Sequence, residues 1–158
     1  MSLSLWDWAT RVYGRPGVEA ACLDLQDQHG QCVSLILWAL WATQDGFALS
    51  DAAMTRAVAI AKPWDQAGIR PLREARRGLK AGFTGFEDAD REALLARVKD
   101  DELQAERLLL GALEAIDPVP NGLPIDALGV LLAISNAWGG PAPAISALKQ
   151  LAGPFSGP

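Results

Sequence analysis

The sequence is poor in the side chains that most often carry chemistry: one histidine, two cysteines and one tyrosine in 158 residues. A single histidine cannot build a histidine-rich metal site, and neither HExxH nor paired Glu-x-x-His spacing occurs. Cys22 and Cys32 are too few for a disulfide scaffold and too far apart for a CxxC site. They read as reduced thiols in a bacterial-type cytoplasm. There is no GxSxG, no GxxxxGK[ST] and no GxGxxG opening a helix after a strand, so no nucleophile or phosphate-cradling constellation is expected. No metal or cofactor is expected, and the balance leans away from an enzyme.

A basic excess is also lacking. The net charge of −5 argues against nucleic acid as the main partner, because a phosphate-binding surface normally needs surplus Lys and Arg. No apolar run reaches the roughly 18–20 residues that a membrane span needs. The two most apolar segments, 33–42 and 123–138, fall short, and Asp126 and Asn136 interrupt the second. MSLSLWDWATRVYG is not a basic region followed by an apolar stretch, so no secretory signal is expected. Nothing alternates with period two over a useful length, which leaves no sheet.

What the sequence has instead is helical periodicity. Ser4 and Asp7 suit a helix start, with Leu5, Ala9 and Val12 on one face, and RPG at 15–17 ends that helix. A second helix is expected over about 17–29, with Val18, Cys22, Leu25 and His29 on one face and Gly30 as its stop. A third, about 33–45, is apolar all round, as a buried helix would be. A fourth runs from Ser50 to Lys62, where Pro63 ends it and opens the next. Helical pattern continues from Trp64 to Phe83, and the longest helix spans roughly 88–116. DPVPNGLP at 117–124 is a loop. A second very apolar helix covers about 124–138, a short one lies near 143–152, and GPFSGP reads as a frayed tail. The predicted fold is all-α: a single-domain orthogonal bundle of seven to eight helices around 33–45 and 124–138.

Three features are candidates for function. His29, in the last turn of the second helix, suits a charge that caps the final carbonyls, with Asp27 pointing elsewhere. Arg73, Arg76, Arg77 and Lys80 fall at i, i+3, i+4 and i+7 in one basic stripe. Glu102 projects within the apolar sector of the long helix and Glu106 borders it, so each needs a charged or hydrogen-bonding partner. Pairing with the stripe would fix the register of the two helices. The competing reading is a basic groove for an anionic ligand or an acidic peptide. Six tryptophans are many for this length. Trp6 and Trp8 cannot both face inward, which leaves room for a homodimer or protein partner.

LWDWATRVYGRPGVEAACLDLQDQHGQCVSLILWALW at 5–41, PLREARRGLK at 71–80 and ELQAERLLL at 102–110 together resemble a small, mostly proteobacterial family of conserved hypothetical proteins, a domain of unknown function. That family pairs an LW-D-A…Y start with a DxHG turn and an apolar LLW helix. Ser34 stands where an asparagine is usual. The resemblance implies a bacterial cytoplasmic helical protein and transfers no catalytic residue. The leading expectation is a non-enzymatic interaction or regulatory protein presenting the Arg73–Lys80 stripe, an exposed tryptophan, or both. The alternative is a small-molecule binder or enzyme with a pocket between the two apolar helices, lined by His29, Glu102 and Arg73 or Arg76.

Overall fold

The structure, a computed structural model, describes residues 3–44, 47–117, 119–120 and 126–157. Its α-helical segments are α1 (Leu5–Tyr13), α2 (Val18–His29), α3 (Val33–Ala42), α4 (Asp51–Trp64), α5 (Arg70–Gly78), α6 (Asp88–Glu114), α7 (Ala127–Trp138) and α8 (Ile145–Ala152). A π turn over Asp65–Ile69 joins α4 to α5, so those two form one continuous rod. Phe47–Ala48 pairs antiparallel with Val119–Pro120, a two-residue ladder too short to alter the all-α class.

Local chemistry sets the helix ends. The Ser4 hydroxyl accepts from the Asp7 N–H at 3.2 Å, and the Ser50 hydroxyl from the Ala53 N–H at 3.1 Å. Glu114, at the far end of α6, accepts the Leu5 N–H at 3.0 Å and so caps α1 across the fold. Gly30 stops α2 in the left-handed region at φ 62°, and the Gln31 N–H closes back on the Leu25 carbonyl at 3.0 Å. Most of the DPVPNGLP loop lies outside the described residues.

Pro63 does not end α4, contrary to the sequence expectation. The helix runs through it on an exposed face, and the π turn follows at once. The carbonyl that Pro63 leaves without a donor is that of Ala59, one turn earlier and exposed, where water can serve it. Pro71 follows directly after the π turn within this rod, and the widened ladder before it accommodates the donor that a proline lacks. α5 stops at Gly78, short of the expected Phe83, and α3 stops at Ala42.

α3 is the centre of the core. Eight of its ten residues are buried, and α1, α2, α4, α6 and α7 all pack against it. α8 closes the other side of α2 and α7. Leu35, Ile36, Trp38, Leu109, Leu113, Leu131, Ile134, Leu148 and Leu151 are among its fully buried members. Each such side chain contributes about 1.5–3 kcal/mol relative to an exposed one. The Trp138 indole donates to the Gly30 carbonyl at 3.0 Å, tying the end of α7 to the stop of α2. Where GPFSGP suggests fraying, Gly153–Phe155 form a 3-10 turn and Phe155 lies against Trp8 with ring centroids 6.0 Å apart.

Trp6 and Trp8 resolve within one chain. Trp8 is buried, while Trp6 is half-buried with the Arg107 guanidinium 5.0 Å from its ring centroid. The case for a homodimer built on an uncovered tryptophan at this end loses its main support.

Candidate functional site

The rod that ends in α5 packs against α6 and brings several of the predicted charges together. Glu102, 7 % exposed, is held by two arginines. Arg73 donates from Nε to Oε1 at 3.3 Å. Arg76 donates from Nε to Oε2 and from Nη2 to Oε1, the second at 3.3 Å. Arg73 Nη2 also reaches Glu106 Oε1 at 3.6 Å, one turn further along α6. A buried carboxylate next to two guanidiniums has its lone pairs met and its charge balanced, the condition under which burial is tolerable. The hydrogen bond to Glu102 raises the pKa of Arg76, keeping the guanidinium charged. Thus Arg73, Arg76, Glu102 and Glu106 form one network.

The remaining candidates lie outside it. Arg77 pairs with Asp27 on α2, so Asp27 points away from His29 as expected. Lys80 is exposed beyond the end of α5 and makes no ion pair among the described residues. His29 does not cap the α2 carbonyls. The Gln31 side-chain amide donates to the His29 carbonyl at 3.3 Å, and the imidazole Nε2 lies 3.7 Å from Asp24. The reason is that Gly30 turns the chain back and brings Gln31 over the helix end first. Sequence reasoning also missed Arg91. It donates to the Leu79 and Lys80 carbonyls at 2.7 and 3.2 Å and so caps α5 from α6.

The expected pocket between the two apolar helices is not where open space lies, because α3 and α7 pack directly on each other. A cleft of about 490 Å³ opens instead where α1, α2, α3 and α6 meet. Trp6, Tyr13, Leu37 and Leu103 are among its walls, and Glu19 and Glu106 are its charged groups. Glu102, Arg73, Arg76 and His29 do not line it. His29 and Arg73 border separate smaller depressions of about 290 and 220 Å³. The cleft draws on three consecutive helices and on α6, far along the chain, so no local pattern announces it.

Burial, and then the charge of Glu102, raise the pKa of Glu106 from its ordinary value, and the two arginines only partly offset this. Folding therefore makes Glu106 easier to protonate than it is in the unfolded chain. Its contribution to stability is full below the unfolded pKa and is lost as pH rises through the folded one. The stability of the native protein minus that of Glu106→Gln is expected to fall as pH rises from about 4.5 toward neutrality. Urea melts at stepped pH check this, and a difference that rises with pH would show that Arg73 outweighs desolvation.

Burial raises both thiols, Cys22 and Cys32, to about 12, with the Glu19 charge adding to the effect at Cys22. Neither carries appreciable thiolate near neutral pH. Among the described residues no cluster of His, Cys, Asp and Glu is arranged to hold a metal ion, and no helix is long and apolar enough to cross a membrane.

A protein-family model described as "Protein of unknown function (DUF2390)" matches residues 4–113. No curated protein and no solved structure matches the chain. The matched span takes in α1 through nearly all of α6, and with them the ionic network and the walls of the cleft named above.

Proposed function

Because the chain belongs to the DUF2390 family of proteins of unknown function, we propose from its own surface that it is a non-enzymatic interaction protein. Its contact element is the arm made by the end of α5, the 79–87 turn and the first half of α6. One observation carries this reading: no residue from Arg70 to Asp101 is buried, yet the arm displays Phe83, Phe86 and Leu94 at 51, 72 and 47 % exposure. Apolar groups gathered on a projecting element mark a contact surface more often than singly scattered ones do. Phe83 and Phe86 meet edge-on with centroids 6.5 Å apart, and Arg91 pins the turn through its bonds to Leu79 and Lys80. A surface ordered in advance loses less entropy on binding.

The basic stripe, by contrast, is largely engaged with carboxylates of the same chain, so the arm takes its place in the proposal. The two free, buried cysteines support a reducing bacterial cytoplasm as the compartment. Pull-down with the full chain tests the reading. The native protein is expected to retain a specific protein partner that Phe83→Ser/Phe86→Ser loses, with each substitution changing stability by under about 0.5 kcal/mol. Equal retention by both proteins, or no specific partner for the native chain, would overturn it. A second reading, binding of a small molecule, is favoured by the cleft beside Glu106.

A further inference from the structure

We infer that the cleft between α1, α2, α3 and α6 binds a small organic cation with an apolar or aromatic body, of the arylalkylammonium type. The inference rests on the small-molecule reading and adds the sign and shape of the ligand. At about 490 Å³ the cleft falls in the range of small-ligand sites, and its apolar walls include Trp6, Leu37 and Leu103. Both charged groups that line it, Glu19 and Glu106, are acidic, and no Arg, Lys or His does so. The basic partner of Glu106 approaches from outside, where Arg73 Nη2 lies 3.6 Å from Oε1.

Trp6 takes part as an apolar wall: the Arg107 guanidinium already lies 5.0 Å from its ring centroid. The Tyr13 hydroxyl reports the local field. Burial raises its pKa most, followed by Cys22, Glu19 and Glu106 in that order, against a smaller lowering by Arg73. Tyr13 therefore stays protonated, a hydrogen-bond donor or acceptor in the wall of the cleft. An anion entering the cleft would meet Glu19 and Glu106 with no lining cation, whereas an ammonium group exchanges its hydration for those two acidic groups.

Isothermal titration of the full chain with three matched probes tests this: 2-phenylethylammonium, 3-phenylpropionate and 2-phenylethanol. The ammonium is expected to bind about tenfold or more tightly than the carboxylate, with the alcohol between them. Capped lysine, which has the charge but little apolar body, is expected to bind more weakly than 2-phenylethylammonium. Glu19→Gln and Glu106→Gln should each narrow the preference for the ammonium. Leu103 is exposed, so Leu103→Lys should leave the fold intact, place an ammonium one turn from Glu106 and abolish binding of the probe. If the alcohol binds as well as the ammonium, the small-molecule reading survives and the cation assignment falls. Binding of the carboxylate as tightly as the ammonium also overturns the assignment. If no probe binds, both readings fall.

Discussion

Glu102→Ala is expected to cost about 3–5 kcal/mol, because it leaves two arginines in a half-closed site with no carboxylate between them. For a chain of this size that lowers the melting temperature by roughly 6–20 °C. Arg73 and Arg76 have side chains only 12 and 20 % exposed, so water reaches each of them incompletely. Neither guanidinium can shed its charge, which rules out the usual escape of a stranded ionisable group. The Arg77–Asp27 pair supplies the control. Its side chains are 49 and 37 % exposed, and Arg77→Ala is expected to cost under about 1 kcal/mol. A double-mutant cycle on Arg76 and Glu102 should give a coupling of about 0.5–3 kcal/mol. If the two changes prove additive, the register of α5 on α6 is held by other groups, with Arg73 the first to test.

Trp38→Ala should cost a similar amount, about 3–5 kcal/mol, for a different reason. Trp38 is 1 % exposed in the helix that five others surround, so its removal leaves a cavity with little freedom to collapse. Trp38→Phe is expected to cost much less than the alanine change. Among the described residues the buried Trp38 indole N–H has no hydrogen-bond partner, so its removal also relieves an unmet donor. Trp138→Phe should be costlier than Trp38→Phe, since it breaks the bond to the Gly30 carbonyl. Denaturant melts of the three variants test that order. A Trp38→Phe variant as unstable as Trp38→Ala would show that ring shape, and not burial alone, fixes the core.

The helices are legible in the sequence wherever a local rule decides them. Ser4 and Ser50 cap, Gly30 stops, and the all-apolar VSLILWALWA is the buried helix it suggests. The pairing of Glu102 with the arginine stripe is also legible, because a carboxylate inside an apolar sector requires a partner and the spacing of Arg73 and Arg76 offers one. The path through Pro63 is not. Whether a proline ends a helix depends on whether the carbonyl it strands one turn earlier finds water or a widened ladder, which tertiary packing decides. The partner of His29 is not legible either: Asp24 lies five residues back in the same helix, outside the i, i+3 and i, i+4 spacings that mark facing side chains. The cleft is hidden more deeply, since its walls come from helices whose mutual placement no single segment encodes.

The packing of α3 bears on where this protein can be cut. The family match ends at residue 113, one residue before the end of α6. α7 lies against α3, and α8 against α2, so both supply cover that the matched segment cannot provide for itself. A recombinant fragment trimmed at the edge of the match would present a bare stripe of leucine, isoleucine and tryptophan to solvent and invite association with its own copies. The stretch that similarity delimits is therefore shorter than the stretch that can stand alone, and expression design should follow the second.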